Sequence, residues 1–169
     1  MDNKSSNGDI ENLLFIIANL PDFLKLSVCR TKVKELVEMT ESEKKETMIR
    51  TLTSINLINQ EKLVKLTKTW MKVISEIEPY ELTKTWMKVI SEIDPSELTK
   101  LLHSYLLILD DVKLFNKVDG NLILKIFNSL DEVERKKLLV CLKEALFIIP
   151  NRGEILKKIP PDLVKVIIS

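Results

Sequence analysis

The sequence predicts an all-α protein, a single domain of short amphipathic helices stacked in a helical-repeat, solenoid-like array, on three observations. Only 3 glycines and 6 prolines punctuate 169 residues and 5 % of the side chains are aromatic, too few turn formers for many short strands and hairpins. Apolar side chains make up 45 % and charged ones 30 %, the balance of an ordinary globular chain. One segment also occurs twice. LTKTWMKVISEIEP at 66–79 and LTKTWMKVISEIDP at 82–95 match at 13 of 14 positions with an offset of 16, which points to a tandem duplication.

In chain order, residues 1–8 (MDNKSSNG) read as a flexible tail, and 9–169 as the helical domain. Apolar periodicity predicts helices at 10–19, 21–38, 41–58 and 60–77. The repeat units follow: 66–81, 82–97 and a diverged third unit at 98–113 that begins LTKLLHSYLLILDD, with helices at 80–93 and 96–109. In the second unit Leu82, Trp86, Val89, Ile90 and Ile93 form one stripe, and Leu98, Leu102, Tyr105, Leu106 and Leu109 continue it in the third. The remaining helices are expected at 121–130, 132–148 and 161–168, with turns at Asp119-Gly120-Asn121 and Asn151-Arg152-Gly153.

The copies should not form one straight rod. At about 100° per residue, a shift of 16 residues turns the stripe by roughly 160° after whole turns, so one Trp-bearing face would be left in water. The chain should therefore bend near Pro79 and Pro95, where proline is tolerated at the first position of a new helix. The caps agree. Asp94 can accept from the freed amides ahead of Ser96 and Glu97, with Glu97 closing a capping box, and the same grammar recurs in Thr40-Glu41-Ser42-Glu43 and Asp131-Glu132-Val133-Glu134. Glu78 is a poorer cap than Asp94. A lone copy buries too few apolar side chains to offset the entropy of ordering its backbone, so it needs neighbours on both sides.

Charge and targeting select no specific partner. Lys and Arg number 26 against 25 Asp and Glu, a net charge of +1, without the basic excess of dedicated nucleic-acid binders. Cys29 and Cys141 lie in apolar contexts with no ligand at metal spacing, as expected of buried thiols in a reducing cytoplasm. No secretory signal is evident and no stretch approaches the roughly 18 apolar residues of a membrane span, so no membrane insertion is expected.

The helix junctions EIEPYELTK, EIDPSELTK and KIPPDLVKV resemble the superhelical short-helix arrays of the cytosolic domain of MgtE-type magnesium transporters and of flagellar motor-switch proteins. The resemblance covers about a third of the chain and contains no catalytic motif. It implies an architecture and a bias toward protein partners, and the copies here are longer than the usual units of those arrays.

No catalytic, cofactor-binding or metal site is predicted. His103 is the only histidine; it takes the register position of Met71 and Met87, off the stripe, and neither ligand spacing nor a nucleophile accompanies it, while Asp110 and Asp111 suit a cap. Nucleotide-loop, zincin, hydrolase-elbow and CxxC patterns are all missing from the sequence. Trp70 and Trp86 belong to the apolar stripe and read as core. Lys65, Lys68 and Lys72 share one helical face and Lys84, Lys88 and Lys100 continue it in the following units, broken by Glu76 and Glu92; Arg135-Lys136-Lys137 and Lys143 add charge further on. The expected function is a non-catalytic scaffold that binds another protein. The alternative is a helical accessory subunit touching nucleic-acid backbone through the lysine ridge, and the open ends of a stack invite self-association.

Overall fold

A computed structural model describes residues 13–109 and 120–169. The expectations for the 1–8 tail, for Asp110, Asp111 and Asp119, and for the end of the third unit lie outside these residues. Among the described residues the protein is helical with no strand. In order come α1 (residues 13–19), α2 (Asp22–Glu38), α3 (Glu41–Thr53), a single 3-10 turn (Ile55–Leu57), α4 (Gln60–Ile77), α5 (Pro79–Ile90), α6 (Pro95–Leu107), α7 (Gly120–Ser129), α8 (Glu132–Ile148), α9 (Arg152–Lys158) and α10 (Pro161–Ile168).

The starts follow the local chemistry. At α3 the Thr40 hydroxyl accepts from Glu43 N while Glu43 accepts from Thr40 N, and Asp131 and Glu134 make the same reciprocal box at α8. Asn59 caps α4 by accepting from Lys62 N at 2.9 Å. At α6 the expected box does not form. Asp94 accepts from the backbone and hydroxyl of Ser96 at 2.9 and 2.7 Å, and the Glu97 carboxylate turns away to accept from Asn56 Nδ2 at 3.1 Å.

The two near-identical copies end differently. The first continues helical to Ile77 and breaks at the single residue Glu78, which makes no side-chain cap; the second stops at Ile90 and turns through Ser91–Ile93 before Asp94. In each, a serine hydroxyl, Ser75 or Ser91, donates to the carbonyl three residues before it, at 2.8 and 2.6 Å. What separates them is Glu78 against Asp94 and Tyr80 against Ser96. The short aspartate and the serine make a cap that holds a full turn between helices, whereas the longer glutamate leaves one linking residue.

Two other boundaries depart from the sequence reading. The helix expected at 41–58 ends at Thr53, and Ser54 leads into the 3-10 turn, whose carbonyls are taken up from another helix as described below. Residues 152–158, expected to begin as a turn, form α9: the Asn151 carbonyl accepts from Glu154 N and Ile155 N, and buried Ile155 anchors the helix.

From α2 to α8, packing joins helices to the second one along, and α4 also meets α5. α2 lies on α4, α4 on α6 and α6 on α8, while α3 lies on α5 and α5 on α7; α10 closes against α7 and α8. Long-range side-chain hydrogen bonds keep the same step. Arg30 with Glu76, Gln60 with Ser104, Thr85 with Glu41, Thr99 with Glu144 and Asn56 with Glu97 span 41 to 46 residues.

The break at Glu78 sends the copies into different positions, α4 beside α2 and α6, α5 beside α3 and α7. Both stripes still reach one interior. Leu66, Val73, Ile74, Leu82, Trp86, Val89, Ile90 and Ile93 belong to the same buried cluster, with Trp70 packed against it. A smaller cluster of Leu106, Ala145, Leu146, Ile149, Ile155 and Ile167 continues the core toward the C-terminal helices.

Candidate interaction surface

The lysines of the predicted ridge have different fates. Lys65 is exposed and pairs with Glu61 on its own helix at 3.2 Å. Lys68 and Lys72 on α4 and Lys88 on α5 are exposed. Lys84 is half-buried, and its charge adds to the hydrogen bond from Lys44 that holds the Glu41 carboxyl below its ordinary range. Lys100 leaves the ridge. Its ammonium donates to the carbonyls of Ile58 and Ile55, at 2.5 and 3.2 Å, and burial lowers its pKa. It closes the 3-10 turn that follows α3.

The same device recurs one step on. Lys137 of α8 donates to the carbonyl of Ile93, in the turn that follows α5. The cluster Arg135-Lys136-Lys137 is thus divided between structure and surface, with Lys136 exposed. Glu76 and Glu92, which interrupt the ridge, are equivalent residues of the two copies and hold equivalent partners: Arg30 of α2 at 3.0 Å and Lys45 of α3 at 2.8 Å.

A second surface was not anticipated from the sequence. On α8 the side chains of Val133, Val140 and Phe147 are 77 %, 49 % and 77 % exposed. Steps of seven residues return to nearly the same side of a helix, so these three form one row, with exposed Lys136 and Lys143 between them. Arg152 of α9 sits over the Phe147 ring, 5.6 Å from its centroid. The seven-residue spacing inside the helix expected at 132–148 was the available signal.

The described residues contain no group of three or more His, Cys, Asp and Glu suited to a metal ion, and no helix long and apolar enough to cross a membrane. Half-buried His103 has its pKa lowered by burial. Cys29 and Cys141 are buried free thiols; burial pushes the Cys29 thiol up to about 11, and Cys141 donates to the carbonyl of Pro95.

No protein-family model, curated protein or solved structure matches this chain. The likeness of its helix junctions to magnesium-transporter and motor-switch arrays has no counterpart among them.

Proposed function

We propose that this chain is a non-catalytic helical-repeat scaffold that binds another protein, and that the bound element is an amphipathic helix with acidic flanks seated on α8. The row Val133, Val140 and Phe147 carries this reading. An apolar row standing in water is characteristic of contact surfaces, and a helix partner reads such a row at helical spacing. Lys136 and Lys143 within the row favour acidic residues on that partner. The stacked-repeat reading draws support from the near-identical segments, from packing of α2 through α8 on the second helix along, and from hydrogen bonds that keep a step of 41 to 46 residues. Near-identical units at two positions of one stack are what a duplication within a repeat array produces.

Affinity purification with the full chain tests the proposal. Phe147→Asp combined with Val140→Asp should abolish capture of the partner while the circular dichroism spectrum is unchanged. Capture lost only on charge reversal of Lys68, Lys72, Lys84 and Lys88 would move the contact to α4 and α5. Nucleic acid bound tightly at low salt, with steep loss as salt rises, would replace a protein partner by the nucleic-acid backbone. Recovery of nothing above background would count against a scaffold.

A further inference from the structure

Helices α1 to α6 leave a cavity of about 340 Å³ between them. That lies within the range of about 300–1,000 Å³ for small-molecule pockets. Its walls are largely hydrocarbon, with Ile17 of α1, Leu36 of α2, Leu52 of α3, Leu66 and Trp70 of α4 and Trp86 of α5. The charged residues on the lining neutralise each other, Lys32 pairing with Glu35 at 2.8 Å, and the Thr51 hydroxyl is engaged by the Thr47 carbonyl at 2.8 Å. The lining is thus mostly apolar, the surface on which small apolar molecules are held.

Three groups on the same lining are unpartnered. The indole nitrogens of Trp70 and Trp86 and the hydroxyl of Tyr105 are buried without a hydrogen-bond partner, and all three residues line the cavity. Trp86 and Tyr105 lie near each other, and the Tyr105 hydroxyl is wholly buried. Buried donors normally find an acceptor, and three such exceptions beside one void call for a ligand atom that accepts.

We propose that this cavity binds one neutral single-chain aliphatic molecule of roughly a dozen carbons, scaled from the fit of benzene in about 150 Å³, whose hydroxyl or carbonyl oxygen accepts from these donors. A carboxylate is disfavoured because Lys32, the one cation on the lining among the described residues, is already paired and burying an unpaired charge is costly.

The test is built into the sequence: the chain has 2 tryptophans and both line the cavity, so tryptophan fluorescence, excited selectively over tyrosine, reports on this site. The full chain is titrated with 11-bromoundecanol, 1-bromodecane and 11-bromoundecanoate at pH 8, the bromine serving as a contact quencher. Saturable quenching at one molecule per chain is expected, with the alcohol bound at least fivefold tighter than either the bromoalkane or the carboxylate. Trp70→Phe, which keeps a ring and removes one donor, should narrow the preference for the alcohol while Trp86 still reports. Thr51→Phe, which fills the void, should suppress quenching with an unchanged circular dichroism spectrum. Quenching that never saturates, equal affinity for alcohol and bromoalkane, or full quenching in a folded Thr51→Phe protein would each overturn the proposal.

Discussion

The indole rings of Trp70 and Trp86, equivalent residues of the two near-identical copies, meet each other with centroids 5.5 Å apart and planes tilted by 41°. Two equivalent side chains of near-identical segments thus pack against each other and join α4 to α5. Tilted aromatic pairs at this separation contribute beyond the area they bury. A double-mutant cycle of Trp70→Ala and Trp86→Ala, followed by denaturant unfolding, should give a coupling of about 0.5–1.5 kcal/mol. Trp86→Ala alone should cost about 3–5 kcal/mol, and Trp70→Ala less, because Trp70 is only half-buried. Additive single costs would show that the rings touch without supporting each other.

Lys100 closes the turn after α3, so its removal leaves the carbonyls of Ile55 and Ile58 without that donor. Lys100→Met, which keeps most of the side-chain stem, should destabilise the chain by about 1–3 kcal/mol. Lys65→Met should stay within about 0.5 kcal/mol of the parent, since its pair with Glu61 is exposed. Equal effects in urea titrations would remove the structural role assigned to Lys100.

The capping box of α3 makes an acid-sensitive contribution. Hydrogen bonds from the Thr40 backbone and hydroxyl hold the Glu43 carboxyl below its ordinary value of 4.5. A depressed carboxylate stabilises the fold above the unfolded value, and that part is lost as the pH falls through the lower folded value. Glu97 has the opposite sign: burial, with Asp94 nearby, raises its pKa. Stability measured from pH 6 down to pH 2 should therefore fall less steeply in Glu43→Gln than in the parent. An unchanged slope would show that the box is no tighter in the folded chain than in the unfolded one.

Deleting residues 82–97 removes one helix from an arrangement in which α2 to α8 pack on the second helix along. The remaining chain should stay helical, because the copy that replaces it has almost the same stripe. It should also melt at a lower temperature, since α6 would follow α4 directly and Lys100 would lose its place at the turn after α3. Calorimetry and far-ultraviolet circular dichroism measure both. An unchanged melting temperature would mean that the neighbouring positions of α4 and α5 are interchangeable.

Much of the architecture was legible because it is written in local terms. The stripe Leu82, Trp86, Val89, Ile90 and Ile93 is buried throughout, and the prolines at 79 and 95 open new helices as their chemistry requires. The box at Thr40 and Glu43 needs only residues three apart. Glu97 escaped because Asn56, distant in sequence, competes for its carboxylate. Helix α9 escaped because a turn and a helix start share the same first hydrogen bond, and only burial of Ile155 decides between them. The surface was harder to read than the core. Six lysines looked alike by spacing, yet one is engaged by backbone carbonyls and the most exposed apolar row lies on another helix.

By itself, the sequence determined that this chain is helical, where most helices begin, and which face of each of the two near-identical segments is apolar, since these depend on periodicity, proline and short-range caps. Tertiary structure alone decided that α4 and α5 take different neighbours, that Lys100 and Lys137 close distant turns, and that Trp70 and Trp86 meet beside a cavity. Those outcomes depend on the angle at a one-residue break and on contacts between residues more than forty positions apart, quantities that no local pattern encodes.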